Sequence, residues 1–139
     1  MVSTGNVAYL LDTDIVIYWL TDRFPQIQVK IDAIDRGDIF LSAIGVAELY
    51  FGAGNSSNPQ ENRELIDELV SWVTVVNFDH AAGALFGRIK AELKQTGKPI
   101  NDSDLFIAAT AISHDFTLVT NNLRHFERIT SLHVENWVE

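Results

Sequence analysis

The chain has 139 residues, 47% of them hydrophobic and 21% charged, a globular composition long enough to bury one ordinary core. Its formal net charge of −9 argues against a protein that holds nucleic acid by an overall positive field. The absence of cysteine removes disulfide frameworks, thiolate metal sites and cysteine nucleophiles. No window approaches the roughly eighteen apolar residues of a membrane span, and the N-terminus lacks the basic-then-apolar order of a signal peptide. The expectation is a cytoplasmic protein forming one domain over residues 1–139.

Residues 1–6 are small and polar and read as a loose start. Residues 7–11 form a short continuous apolar run, as in a strand buried on both faces. The run stops at Asp12-Thr13-Asp14, and residues 15–20 continue as a helix with little polar surface. Pro25 fits the first turn of a second helix carrying Ile27, Ile31 and Ile34, with Gly37 closing it. Residues 38–42 read as a second strand, followed by a helix over about 43–53 that carries Glu48. Pro59 opens an amphipathic helix, residues 73–76 a third strand, and Asp79 caps a long helix bearing Arg88, Lys90 and Lys94, with Lys98 in the loop beyond. Asn101-Asp102-Ser103-Asp104 then opens an almost wholly apolar helix, residues 116–120 a fourth strand, and Val134 a last edge strand. Short apolar strands alternating with helices predict a three-layer α/β/α sandwich with a small, mainly parallel central sheet of four or five strands.

In such sheets, ligands sit beyond the carboxyl ends of the strands. Asp12 follows strand one, Asn121 and Asn122 follow strand four, Glu48 lies in the second turn of the helix after strand two, and Asp102 and Asp104 start the helix feeding strand four. Taken alone, Asp102 and Asp104 read most simply as a helix cap and a first-turn acid, which the helix dipole favours. Taken with the others, they bring polar groups from four segments to one sheet edge. Carboxylates crowded together raise one another's pKa, and a hard cation such as Mg²⁺ resolves the conflict. The chemistry implied is metal-assisted hydrolysis of a phosphate ester, which a net-negative protein can perform because the cation reverses the local field.

Three passages resemble the PIN-domain ribonucleases of the VapC toxin type. They are Tyr9-Leu10-Leu11-Asp12-Thr13-Asp14-Ile15-Val16, then Leu41-Ser42-Ala43-Ile44-Gly45-Val46-Ala47-Glu48-Leu49 with Gly52-Ala53, and Pro99 to Ala109 continuing to Leu118-Val119-Thr120-Asn121-Asn122-Leu123-Arg124-His125-Phe126. The resemblance implies a metal-dependent endoribonuclease, the toxin of a type II toxin–antitoxin pair. Residue by residue, it puts the family's acidic triad at Asp12, Glu48 and Asp104, with Asp12 and Asp104 as metal ligands for Mg²⁺, or Mn²⁺ in its place. Asp102, Thr120 and Asn122 are supporting candidates; Asn122 falls where many members carry a fourth acid, and an amide there adds no charge. Glu48 would hold a water and assist its deprotonation, leaving 5′-phosphate and 3′-hydroxyl ends. The implied partners are RNA, a VapB-type antitoxin that wraps the toxin, and a second copy in a homodimer.

Other readings compete. Asp12-Thr13-Asp14, with Ser42 at the end of strand two, also fits the nucleophile motif of haloacid-dehalogenase-like phosphatases, with Asp12 as nucleophile and Asp14 as general acid. A PIN-like binding module without catalysis is a further alternative, which Asn122 keeps open. Arg88, Lys90, Lys94 and Lys98 do not form one stripe and fit either a solvated helix face or a phosphate-steering rim. His80, His114, His125 and His133 lack metal-ligand spacing and read as surface or capping residues. Tyr18 and Trp19, on a helix more apolar than one buried face requires, fit either partner surface or core packing, and Trp72 and Trp137 are expected to pack.

Overall fold

The computed structural model describes residues 7–139; the loose start expected for residues 1–6 lies outside them. Five short strands, β1 (Tyr9–Leu11), β2 (Ile39–Ser42), β3 (Thr74–Val76), β4 (Thr117–Val119) and β5 (His133–Glu135), form one sheet in the order β3-β2-β1-β4-β5. Every neighbouring pair is parallel, so the sheet is wholly rather than mainly parallel. Successive strands first step outward from β1 to β2 and β3, then cross back to the other side of β1. That reversal puts the carboxyl ends of β1 and β4 side by side at a switch point, where the connections diverge and leave a crevice.

Helices cover both faces because the strand side chains alternate between them. Leu11, Leu41 and Val119 face a core built with Ile15 and Val16 of α1 (Thr13–Leu20), Ile27 and Ile31 of α2 (Pro25–Asp32), Leu49 and Ala53 of α3 (Ala43–Gly54), and Ile66 and Leu69 of α4 (Pro59–Trp72). Leu10 and Leu118 face the opposite core, with Ile89 and Leu93 of α5 (His80–Gln95), Leu105, Ile107 and Ala108 of α6 (Asp102–Ser113), and Phe126 of α7 (Leu123–Phe126). Leu105 and Ile107 through Ala111 are buried, so α6 runs through the interior with its acidic N-terminal end near the surface.

Several local expectations need correction. The second helix stops at Asp32, and Gly37 sits in a separate 3-10 turn, Arg36–Asp38, since Ile34 already leaves the helical path. The α6 cap is Asn101, whose side chain accepts from the Asp104 N–H at 2.8 Å; Asp102 is the first helical residue. Tyr18 and Trp19 are packing residues, edge-on to Phe24 (4.8 Å) and Trp72 (5.5 Å). What remains exposed of the apolar surplus on α1 is Ile17. Trp137 is buried edge-on to Tyr9 at 5.2 Å, and Arg36 lies over the Trp72 ring.

Phe126 has the greatest leverage on the crevice. It is fully buried and fixes the four-residue helix α7, too short to be stable alone, against α6 and the sheet. Phe126→Ala is expected to cost about 3–5 kcal/mol of stability, measured by urea unfolding, as for other large-to-small changes in tight cores.

Candidate active site

Asp12 takes the position directly after β1, with extended backbone, and caps α1: its Oδ1 accepts from the Thr13 N–H at 2.9 Å. Its other oxygen, Oδ2, accepts from the Thr120 hydroxyl at 2.8 Å, a bond spanning 108 residues that joins the exits of β1 and β4. Both residues are buried, Asp12 at 6% exposure and Thr120 at 0%. No lysine, arginine or histidine forms an ion pair with Asp12 among the described residues. Burial, and secondarily the neighbouring Asp14 carboxylate, pushes the Asp12 carboxyl up to about 7 against the two hydrogen bonds that lower it.

Asp14 is the acid that sequence reasoning placed only in the phosphatase alternative. Its side chain turns into the same crevice, where Oδ1 accepts from the Ile15 N–H at 2.7 Å and Oδ2 from the Asn121 N–H at 3.0 Å. Burial raises its pKa, those backbone donors lower it, and Asp104 raises it further. Asp14 thus pins the residue after β4, while Thr120 in turn accepts from the Asn122 N–H at 3.0 Å. The Asp-x-Asp spacing at a strand-to-helix junction was the available signal: a cap and its second neighbour both point back over the strand end.

Asp104 enters from α6. Its Oδ2 accepts from Asn101 Nδ2 at 3.0 Å and lies 3.3 Å from His125 Nδ1, which is also 2.8 Å from Asn122 Nδ2. The imidazole can accept from the amide or, protonated at Nδ1, donate to the carboxylate. His125, expected as a surface or capping residue, thus contacts the crevice through Asp104 while its side chain stays partly exposed. The missed signal was its position three residues after Asn122 in α7, one turn away on the same face.

Glu48 approaches from the far side. Ser42 caps α3 by accepting from Gly45 N–H at 2.8 Å, and Gly45 packs so closely that a Cβ there would stand 3.3 Å from Ser42 Oγ and 3.6 Å from Thr13 Cγ2. This approach sets the first turn of α3 beside the start of α1. Glu48, one turn on, accepts from the Ser103 hydroxyl of α6. Asp102 turns outward to Lys90 at 2.9 Å, with both side chains about half exposed.

Asp12, Asp14 and Asp104 thus share one crevice, with Glu48 tied to α6 beside them. No group of three or more acids or histidines among the described residues is gathered tightly enough to enclose a metal ion as it stands. The donor chemistry nevertheless fits a hard cation: the oxygens are carboxylate and hydroxyl, and the most buried carboxylate has no counter-charge.

A parallel α/β/α sandwich with acids from three segments at its switch point defines a class, and the sequence agrees with the geometry. The chain belongs to the PIN-domain family, whose profile, described as PIN domain, matches residues 9–132. It is similar to Ribonuclease VapC2 of Haemophilus influenzae, 44% identical over 94% of this chain and 98% of the relative. The tRNA(fMet)-specific endonuclease VapC of Shigella flexneri is 34% identical over 93% of this chain and 97% of its own. Among solved structures, DNA-bound VapBC from Salmonella typhimurium superposes with a TM-score of 0.89 at 32% identity, covering 95% of this chain and 99% of that one. VapBC-1 from nontypeable Haemophilus influenzae gives 0.87, also at 32%, covering 96% and 100%. The phosphatase alternative is overturned by this membership. No described helix is long and apolar enough to cross a membrane.

The raised Asp12 carboxyl has a sign-definite consequence. Between its ordinary value of 3.8 and about 7, the folded state holds a proton that the unfolded state has released, so stability falls as pH rises through that window. In metal-free buffer the melting temperature of the wild type should drop from pH 5 to pH 7.5 more than that of Asp12→Asn. Added Mg²⁺ should raise it more at pH 7.5 than at pH 5.

Proposed function

We propose that this protein is a metal-dependent endoribonuclease, the toxin of a VapBC-type toxin–antitoxin pair, that hydrolyses RNA phosphodiester bonds at the crevice formed by Asp12, Asp14, Asp104 and Glu48. The observation that carries the reading is a buried carboxylate without a cationic partner at the switch point of a PIN fold, flanked by two further acids. Asp12 and Asp104 are the residues that would hold Mg²⁺ or Mn²⁺, with Asp14 adding charge. Such a cation supplies neutralisation of the phosphoryl oxygens and a more acidic water.

The chain's own groups do the positioning. Thr120 fixes the free rotation of Asp12, so its unshared lone pairs point out of the strand end. Asn101 holds Asp104 in a single orientation at the α6 N-terminus, where the helix dipole favours the ionised form. Glu48, which accepts from Ser103, would receive a proton from the attacking water. Asn122, held at His125, would donate to a phosphate oxygen. Attack in line on phosphorus would leave a 5′-phosphate and a 3′-hydroxyl.

Asp104→Asn and Glu48→Gln should each lower RNA cleavage by about 100-fold or more in Mg²⁺, equivalent to a few kcal/mol of lost charge stabilisation. Chelation should abolish it. Cleavage at the wild-type rate by Asp104→Asn, or with EDTA present, would overturn the metal-dependent mechanism, and absence of cleavage by the wild type in Mg²⁺ or Mn²⁺ would leave the non-catalytic module as the better reading.

The partner side of the proposal rests on an apolar cavity of about 380 Å³ between α1, α3 and α4, lined by Ile17, Leu20, Leu49, Ala53, Leu65 and Ile66. Thr13 and Glu48 belong to the same wall, so an antitoxin segment filling it would lie against Glu48. Ile17 and Leu65 are each more than 40% exposed there. Ile17→Glu should weaken binding of a VapB-type antitoxin by about tenfold or more in co-purification, with RNA cleavage intact.

A further inference from the structure

The proposed activity leaves a charge problem. A protein of net charge −9 with an acidic active site repels every phosphate of an RNA strand except the one a cation neutralises. Basic residues are not spread evenly over the chain. Residues 88–128 contain six of its ten lysines and arginines but only five of its nineteen acids. In space, three of these six line one open cavity of about 860 Å³ between the C-terminal end of α5 and α7: Lys98, Arg124 and Arg128, with Glu127 the only acid in its wall.

The state of those cations distinguishes a binding surface from a solvated helix face. Arg88 leans toward Glu92 at 4.0 Å and Lys90 is paired with Asp102, so two of the three basic residues of α5 are compensated, Lys94 being the exception among the described residues. Lys98 and Arg124 have no ion pair or side-chain hydrogen bond among the described residues. Arg128 donates from Nη1 to the Pro99 carbonyl at 2.8 Å, which fastens the loop carrying Lys98 to the segment carrying Arg124. The same two segments build the active site: Pro99 leads directly to Asn101 and Asp104, and Arg124 lies between Asn122 and His125. The cavity is therefore built from the two segments that run on into Asp104 and His125, and the Arg128 bond ties those segments together.

We infer that this cavity is a phosphate subsite of the ribonuclease, in which Lys98 and Arg124 hold backbone phosphates of the RNA strand neighbouring the scissile one while Arg128 keeps the two walls together. The inference rests on the ribonuclease reading and deepens it. Phosphate contacts of this kind fix register and supply affinity without reading bases. They act on substrate binding and leave the chemical step alone, since neither side chain reaches the acids.

The test is a double substitution, Lys98→Gln/Arg124→Gln, with Arg128 retained so that the loop stays fastened. Its melting temperature is compared with wild type to establish folding. With a labelled single-stranded RNA that the wild type cleaves, KM should rise about tenfold and kcat stay within about twofold. Affinity for that RNA, read by fluorescence anisotropy without added metal, should fall in parallel. Its dependence on log salt should flatten by roughly 1.4, two contacts at about 0.7 each for a single strand. A wild-type KM and salt slope in the folded double variant would overturn the subsite. So would a fall in kcat at constant KM, or loss of protein-partner binding with RNA affinity unchanged. If the wild type cleaves no RNA in Mg²⁺ or Mn²⁺, the failure belongs to the ribonuclease reading itself.

Discussion

The structure depends on a carboxylate kept where water scarcely reaches it. Asp12 has the Thr13 amide and the Thr120 hydroxyl as partners and no cation. Burying a charge without a counter-charge is among the most costly arrangements a fold can adopt, and proteins usually respond by shifting the pKa and neutralising the group. Here the carboxyl is raised to about 7, so near neutrality it stands between its two forms. In the reading proposed above, a divalent cation held there would relieve that conflict and so couple metal affinity to stability.

The rest of the architecture holds that carboxylate among its neighbours. The reversal of strand order puts β4 beside β1, so Thr120 meets Asp12, and Asp14 accepts from the amide of Asn121 one residue later. Close approach at Gly45 sets α3 against α1 and brings Glu48 within reach of Ser103. The apolar run of α6 buries that helix so completely that its acidic end has little freedom to move. Two surfaces adjoin the segments that carry the acids, one apolar and one basic. They divide along the sheet: α1, α3 and α4 make the first, α5 and α7 the second.

Much of this was legible in the residues. Continuous apolar runs marked four of the five strands, because strands buried on both faces leave no polar alternation. The acids at their carboxyl ends marked the crevice. What the sequence could not resolve were choices among adjacent groups with similar chemistry. Asn101, Asp102 and Asp104 can all serve near a helix start; only the backbone path decides that Asn101 caps, Asp104 points inward and Asp102 pairs with Lys90. Asp14 was assigned only to a rival chemistry because its inward turn depends on the Asn121 amide, 107 residues away. His125 was passed over for the same reason: its partner Asp104 is distant in sequence and adjacent in space. Tyr18 and Trp19 read as surplus within their own helix because their ring partners, Phe24 and Trp72, lie outside it.

The bond between Thr120 and Asp12 also has a consequence for synthesis. One half of the crevice is made near the start of the chain and the other only when β4 takes its place beside β1. A chain still attached to the ribosome and lacking β4 has Asp12 and Glu48 but neither the clamp on Asp12 nor the tie on Asp14. For an enzyme that cuts RNA, this ordering withholds the assembled site through most of translation.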